Sequence, residues 1–402
     1  MLDGIADAPI ADGAVVVSDS RISWVGKSAS APAGGAGLET IDTHGAVIMP
    51  GLIDCHTHIS FAVHLSLLDL ESRHSLERAT ITAVANARTI LFMGYTTIRD
   101  VGSRGAIACA VRDAIADGII SGPRILAGGP IITTTGGLAD FLPSWVSTTQ
   151  SLGLVADGVD EVRKAVRKLV KMGVDIVKFD ATGHAISRAG GMSMSTMSEE
   201  EIAAGVREAH RYGKRVAAHA QSRAGILNAL RGGVDTLEHG SELDEESIEL
   251  LRQGRTILVP TISNLYSYTE QGRKIGVKDS IIAEVERSAP AWIRSLEMAH
   301  EAGLPIAMGG DVGNRYPNGQ NSVELEMLVR HGFTPVEAIN AATRVSSQAL
   351  GLDTETGTLE VGKAADIIAV GPSPLDDIRV MQDASSIKLV MRGGRVERQT
   401  PD

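Results

Sequence analysis

Cysteine is nearly absent from this chain, whose 402 residues include only Cys55 and Cys109. A chain with so few cysteines is not a disulfide scaffold, and its length provides a large core without crosslinks. The start of the sequence also lacks a basic segment followed by an apolar one, so no signal peptide is expected. The reduced cytoplasm is therefore the expected compartment.

The sequence also has no excess of basic residues and no long apolar runs. Lysine and arginine together number 38 against 49 for aspartate and glutamate, which gives a formal net charge of -11. Because binding to nucleic acid requires a dense basic surface, no nucleic-acid partner is expected. No apolar stretch is long enough to span a bilayer, so no membrane partner is expected either.

Short apolar strands alternate with amphipathic helices over residues 51–350. One helix is predicted to begin after Ser198, which forms a capping box with Glu201. Repeated strand–helix units predict a parallel α/β fold, and a barrel of eight units needs ~250 residues. A doubly wound sheet is the rival, but it predicts a glycine-rich turn after the first strand. Here the first strand is predicted to run from Val47 to His58 and to end in a histidine-rich segment.

Strand-like segments return on both sides of this region. They are residues 13–17, 22–26, 357–362, 365–370 and 387–391. We predict that residues 1–50 and 351–402 pair into one small β-domain beside a barrel formed by residues 51–350.

The motif DCHTH at residues 54–58 is the strongest local signal for chemistry. His56 and His58 are two residues apart near a strand end, so strand alternation directs both imidazoles to the same face. Two imidazoles on one face can bind a metal ion. An isolated pair of this kind is equally well explained as two histidines in a polar turn.

Three further polar residues share this position at a strand end. His219, His239 and Asp311 end the predicted strands 215–219, 234–239 and 305–311. Barrel enzymes place their active groups at the carboxyl ends of their strands. Packing does not readily explain four histidines and one aspartate that repeat this placement, so the set predicts a metal site.

Lys178 lies inside the predicted apolar strand 175–179. A buried lysine is unfavourable unless it is paired or neutral, and a neutral lysine is nucleophilic. Such an amine can capture carbon dioxide and become a carbamate, an anionic ligand able to bridge two metal ions. The alternative is that its side chain extends along the strand and reaches solvent.

These residues and their surroundings resemble the amidohydrolase superfamily over nearly the whole chain. The matching motifs are, in order, HTH at 56–58, TTIRD at 96–100, Lys178, His219, EHG at 238–240, GD at 310–311 and GTLEVGKAAD at 357–366. The sequence is most similar to the binuclear prolidase-like branch, which includes Xaa-Pro and Xaa-Arg dipeptidases, ochratoxin-type amidases and carbamate or phenylurea hydrolases. The resemblance implies a (β/α)8 TIM barrel with a β-sandwich made from both chain ends, and a homo-oligomer.

The resemblance also implies a role for each ligand position. His56, His58 and Asp311 would hold a first divalent metal ion, and His219 and His239 a second. Carboxylated Lys178 would bridge the two ions, for which zinc is the best match to this mixture of ligands. A hydroxide bridging the ions would attack an amide-type carbonyl of a small-molecule substrate. Asp311 would carry the proton to the leaving nitrogen.

Two departures from the family pattern bear on the substrate. Leu138 stands where dipeptidases of this branch usually have histidine, and Leu265 where they usually have tyrosine, with Tyr266 and Tyr268 nearby. Leucine cannot donate a hydrogen bond to a carboxylate, which predicts a neutral, apolar substrate such as an aryl amide, carbamate or urea. His184 is a candidate for a replacement polar contact, or else an exposed loop histidine. An Xaa-Pro-type dipeptidase and an N-acyl-amino-acid or ochratoxin-type amidase are the alternatives.

Two other functions are disfavoured. Mononuclear deaminases of the superfamily usually carry a glutamate three residues after the third histidine, and Ser222 occupies that position here. Non-catalytic binding relatives have lost metal-ligand residues, whereas this sequence keeps a suitable residue at all six ligand positions.

Overall fold

The computed structural model describes residues 1–400 except 7, 33–38, 64–65, 147, 149, 188–190 and 314. The segment 30–37, predicted to be a loop from its small, turn-forming residues, lies mostly outside the described residues. The strands are β1 (Gly13–Ser18), β2 (Arg21–Lys27), β3 (Val47–Pro50), β4 (Leu52–Thr57), β5 (Tyr95–Asp100), β6 (Arg124–Ala127), β7 (Ile131–Thr133), β8 (Gly153–Val155), β9 (Ile176–Asp180), β10 (Arg215–Ala220), β11 (Thr236–His239), β12 (Ile257–Val259), β13 (Ile367–Val370), β14 (Ile387–Arg392) and β15 (Arg395–Gln399).

Helices follow most of the central strands. They are α1 (Leu67–Arg73), α2 (Leu76–Phe92), α3 (Ile107–Ala116), α4 (Val159–Met172), α5 (Glu199–Arg211), α6 (Arg223–Gly232), α7 (Glu245–Gln253), α8 (Ile262–Tyr266), α9 (Asp279–Glu301), α10 (Val323–Arg330), α11 (Pro335–Asn340) and α12 (Ser346–Leu350). The predicted capping box of Ser198 and Glu201 starts α5. Among the described residues, no helix has both the length and the apolar character needed to cross a membrane.

The central strands run parallel, which confirms the α/β prediction. They form a sheet of order β4-β5-β6 and a sheet of order β12-β11-β10-β9-β7-β8. The segment after α9 connects the two sheets, because Ala307 N donates to Leu258 O and Cys55 N donates to Met308 O, both at 2.9 Å. It makes these bonds without forming the regular strand that was predicted from residue 305 onward.

The prediction of one continuous strand from Val47 to His58 is wrong. The chain breaks between β3, which pairs antiparallel with β13, and β4, which pairs parallel with β5. Pro50 has no amide hydrogen to continue a ladder. A Cβ atom at Gly51 would lie 2.1 Å from Thr96 Oγ1, so only glycine permits this close crossing. The chain therefore passes from one sheet into the other at Pro50–Gly51.

The two chain ends share a sheet, of order β15-β14-β13-β3. Its apolar face packs with the β1–β2 hairpin around Ile22, Leu359 and Ile367. The predicted strand 357–362 is wrong: its terminal glycines have φ of 94° and 92°, and the segment forms turns. The exact division into residues 1–50 with 351–402 and residues 51–350 stays a prediction.

Candidate metal centre

All six predicted ligands line one cavity. His56 lies in β4 and His58 just after it, Lys178 in β9 and His219 in β10, while His239 ends β11. Asp311 lies in the loop that follows the segment bonded to β4 and β12. Parallel strands bring their carboxyl ends to one edge, which is why residues far apart in sequence meet here.

The distances between these side chains suit shared metal coordination. Asp311 Oδ1 lies 3.7 Å from His56 Nε2 and 3.6 Å from His58 Nε2. The ring centre of His239 lies 5.0 Å from that of His56 and 4.5 Å from that of His219. Ligand atoms of His56, His239 and Asp311 all lie within 4.8 Å of one another. Two ligand atoms at about 2 Å from one ion are at most about 4 Å apart, which the distances from Asp311 to His56 and His58 satisfy.

Hydrogen bonds determine which ring nitrogen of His56 and of His58 faces the cavity. His56 Nδ1 lies 2.7 Å from Glu238 Oε2, and His58 Nδ1 lies 2.9 Å from the carbonyl oxygen of Gly102. Both oxygens are acceptors, so both Nδ1 atoms carry the proton and both Nε2 atoms keep a free lone pair. Arg99 Nη2 donates to the other oxygen of Glu238 at 2.8 Å, which holds this carboxylate in place.

The same reasoning applies to the other two histidines. Thr261 Oγ1 donates to Pro260 O at 2.8 Å and lies 2.6 Å from His239 Nδ1, so it accepts the Nδ1 proton and leaves Nε2 free. For His219 the bonded atom is Nε2, 3.4 Å from Gly183 O, which leaves Nδ1 as the candidate ligand atom. Partners that orient imidazoles in this way are typical of metal sites.

Burial sets the charge state of these groups. It lowers the pKa of His56, His219 and His239 well below the usual histidine range, so each imidazole is a neutral ligand at neutral pH. Burial also lowers the pKa of Lys178, against the opposing effect of Glu238 and Asp180. Lys178 Nζ is buried without a hydrogen-bond partner among the described residues. The snorkelling alternative is therefore wrong.

Backbone strain is concentrated at this centre. His239, Thr261 and Asp311 have φ of 71°, 47° and 44°, a region that non-glycine residues seldom occupy and that costs about 1–3 kcal/mol for each residue. Asp311 N donates to His56 O at 2.8 Å, and Asp54 accepts from the backbone amides of His56 and Gly310 at 2.9 and 3.1 Å. These bonds hold Asp311 in its strained conformation beside the histidines.

The remaining cavity wall contains both apolar and polar residues. The apolar residues are Phe61, Leu67, Ile131, Leu138, Ala139, Phe141, Leu152 and Ile186. The polar residues outside the predicted ligand set are Asp180, His184, Asn264, Tyr268 and Arg315. Burial lowers the pKa of His184 to about 3, aided by Arg315, and raises the pKa of Asp180 to about 7, against Lys178.

Two of the four predicted substrate contacts line the cavity, and two do not. Leu138 and His184 line it, and His184 is only 5% exposed, so it is not a solvent-exposed loop histidine. Leu265 is 1% exposed and packs in the core, while Tyr266 is hydrogen-bonded to His331 at 2.7 Å. Tyr268, in the turn after α8, lines the cavity instead. Neither Leu265 nor Tyr266 lines the cavity, and their substrate roles stay predictions.

Arg315 is a functional candidate that sequence reasoning missed. Its Nε donates to Ser267 Oγ at 2.7 Å and its Nη2 to Asn264 Oδ1 at 3.2 Å, and its guanidinium lies 3.8 Å from the ring centre of Tyr268. Asn264 in turn donates a hydrogen bond to Asp311. Among the described residues no carboxylate forms an ion pair with Arg315. The sequence around Arg315 contains no motif that predicts its place at the cavity wall.

We expect Thr261→Ala to weaken metal binding about 10–100-fold, because His239 loses the acceptor that fixes its tautomer and ring orientation. Thr261→Ser keeps the hydroxyl and should bind metal nearly as the parent does. Competition with a chromogenic chelator measures the affinity. Equal affinity of the alanine and serine variants would contradict a role for this hydroxyl in orienting His239.

Comparison with known proteins gives consistent matches along the chain. The amidohydrolase family matches residues 47–396. Ochratoxinase from Aspergillus niger is 34% identical over 415 residues, covering 96% of this chain and 83% of that protein. Two solved structures superpose with similar coverage. An amidohydrolase has a TM-score of 0.90 at 31% identity and covers 100% of this chain and 98% of its own. An Xaa-Pro dipeptidase with methionine bound in its active site has a TM-score of 0.88 at 30% identity, with 98% and 97% covered.

Proposed function

Since the chain belongs to the amidohydrolase family and is a hydrolase of carbon–nitrogen bonds, we propose that it cleaves the amide bond of N-acyl amino acids, in a reaction that depends on divalent metal ions. This class is one of the alternatives that the sequence left open. It replaces the neutral substrate as the favoured hypothesis because Leu265 lies away from the cavity and Arg315 lines it.

The donor set supports two divalent ions. His56, His58 and Asp311 would hold one, and His219 and His239 the other, with carboxylated Lys178 between them. The free lone pairs on neutral imidazoles and the unpartnered Nζ of Lys178 favour this assignment. Bound ions of this kind, for which zinc is our first choice, make water more acidic and polarise a carbonyl.

Asp311 is proposed to move the proton. Its Oδ1 lies near the Nε2 atoms of His56 and His58, and its Oδ2 accepts from Asn264. A carboxylate held in this way can accept a proton from the attacking water and deliver it to the nitrogen that leaves. Asn264 would act as a positioning residue that keeps Oδ1 turned toward the reaction.

Arg315 is the observation that carries the substrate class. It is a cation at the cavity wall, and its guanidinium is fixed by Ser267, Asn264 and Tyr268 rather than neutralised. A substrate carboxylate would neutralise this guanidinium and accept a charge-assisted hydrogen bond from it. The apolar wall would take the acyl group. The amino acid bound in the Xaa-Pro dipeptidase relative is consistent with this view.

Isocaproyl-phenylalanine and its C-terminal carboxamide form a matched pair of substrates that tests this proposal. Metal-loaded protein should prefer the carboxylate by at least about tenfold, since a hydrogen bond to a charged group contributes about 1.5–3 kcal/mol. Arg315→Gln should remove most of that preference. The measurements are kcat/KM for both substrates with metal-loaded and chelator-stripped protein.

A neutral aryl amide, carbamate or urea remains the second candidate, supported by Leu138 in the apolar wall. Preference for the carboxamide or for a neutral anilide over the free acid would favour it and overturn our assignment. Turnover that is unchanged after metal removal would contradict the metal-dependent mechanism itself.

The overall architecture is part of the proposal. We infer that β4, β5, β6 with β7, β9, β10, β11, β12 and the segment at Ile306 close into a (β/α)8 barrel. Parallel bridges of Leu258 with Ile306 and of Thr57 with Val312 support this closure. The sheet of both chain ends and the β1–β2 hairpin would be the β-sandwich. A homo-oligomer in the cytoplasm also stays a proposal.

A further inference from the structure

Asp180 is a buried acid that the proposed reaction does not use. It follows Lys178 by two residues, so both side chains project from the same face of β9. It lines the metal cavity and is 1% exposed. Neither carboxyl oxygen has a partner within hydrogen-bonding geometry among the described residues, and the backbone amide of Ala139 is near enough to lower its pKa.

An acid in this position can accept further hydrogen bonds from a molecule in the cavity, because one backbone amide cannot satisfy both carboxyl oxygens. Burying a carboxyl group without hydrogen bonds is costly, and native structures seldom do so without a reason. The apolar wall residues Ile131, Leu138 and Leu152 offer no side-chain donor. Lys178 is the charged neighbour that acts most strongly on it, and the proposed function assigns that amine to the metal ions. A substrate that enters the cavity can therefore supply a hydrogen-bond donor to the carboxyl group of Asp180.

We propose that Asp180 binds a protonated amine on the acyl half of the substrate and thereby selects acyl groups that carry a free amine. An acid selects a cationic or donating group and repels the substrate carboxylate, which Arg315 takes. The two halves of an amide lie on either side of its carbonyl, so a cavity with separate acidic and basic groups matches a zwitterion. This inference rests on the proposed function and adds a specificity-determining residue to it.

Leucyl-phenylalanine and isocaproyl-phenylalanine test this inference, because they differ only in the α-amine. Metal-loaded wild-type protein should show a kcat/KM about 10–100-fold higher for the dipeptide, mostly through KM. In Asp180→Asn the ratio of the two values should fall to within about threefold of unity, with metal content unchanged. Asp160→Asn, whose side chain is 98% exposed on α4, is the matched control and should keep the wild-type ratio.

Each other outcome overturns the inference. Equal turnover of both substrates by the wild type excludes an amine site, and this comparison needs no variant to fold. Equal losses on both substrates in Asp180→Asn, or loss of bound metal, would make Asp180 part of the metal centre. If the protein cleaves isocaproyl-phenylalanine and the added amine gives no gain, the amine site is excluded and the proposed function is kept. If it cleaves neither isocaproyl-phenylalanine nor leucyl-phenylalanine, both the amine site and the proposed function are excluded.

Discussion

Lys178→Ala is expected to lower kcat/KM by roughly 10³-fold or more, because the bridging ligand and the several kcal/mol of metal-ion catalysis are lost together. The metal-free fold should survive, since the buried Nζ has no hydrogen-bond partner to lose. Thermal unfolding should be compared in chelator, because bound metal stabilises a protein by mass action. Near-normal activity in this variant would exclude Lys178 from the centre.

Short carboxylic acids distinguish the carbamate from other roles of this lysine. If an anionic oxygen ligand is what Lys178 supplies, formate, acetate or propionate should partly restore activity to Lys178→Ala. Lys178→Met is the matched control, because its side chain fills the space and leaves no room for the acid. Rescue of both variants, or of neither, would contradict a carboxylated lysine.

The convergence of the proposed metal ligands could be predicted from sequence because their placement follows from one rule. His219, His239 and Asp311 each come at the end of a short apolar strand or strand-like segment, and parallel strands share a carboxyl edge. The alternation of strand side chains placed His56 and His58 on one face. Neither argument requires knowledge of distant contacts.

The partners of these ligands depend on contacts that sequence does not reveal. Glu238 reaches His56 across 182 residues, and Thr261 reaches His239 from the turn that precedes α8. Glu238 lies in a motif that resembles the family, but its bond to Arg99 and His56 is a product of strand order. Among the described residues Arg315 forms hydrogen bonds but no ion pair with a carboxylate, and Asp180 has no side-chain hydrogen-bond partner; both facts are likewise visible only in three dimensions.

Spacing along the chain does not identify the residues that line the cavity where the backbone is irregular. The family resemblance implies a substrate contact at Leu265, but Thr261 is in a left-handed conformation and a π-helical turn, Ser267–Gln271, follows α8. Tyr268, in that turn, lines the cavity, whereas Leu265 does not. The predicted strand 357–362 failed for a related reason, because glycines with positive φ bound it.

The strained turn at Thr261 begins the helix that would connect the proposed substrate binding to the proposed proton transfer. Glu324 is fully buried and accepts from the amides of Ile262 and Ser263 at 3.0 and 2.7 Å, which fixes the start of α8. Asn264, in that helix, contacts both Arg315 and Asp311. A carboxylate bound at Arg315 would therefore affect the position of Asn264, which orients Asp311.

Asp311→Asn should lower kcat by about 10²–10⁴-fold, since an amide cannot take up or deliver the proton. The two side chains have the same shape, and asparagine tolerates the left-handed φ of 44° at this position, so the fold should be retained. The Asn264 amide would then face a neutral oxygen or a second NH2 group, which weakens the orientation of residue 311 further.

The decisive measurement for Asp311→Asn is kcat at saturating metal, with metal content determined on the same sample. Asp311 is also a proposed ligand, so a deficit that excess metal corrects reports coordination, and one that persists in metal-loaded protein reports proton transfer. Asp160→Asn on α4 controls for the loss of one negative charge. A metal-loaded Asp311→Asn enzyme that works near the wild-type rate would exclude the proton-transfer role. It would also require the leaving nitrogen to take its proton from another group at the cavity wall, for which neutral His184 is poorly suited because burial lowers its pKa to about 3.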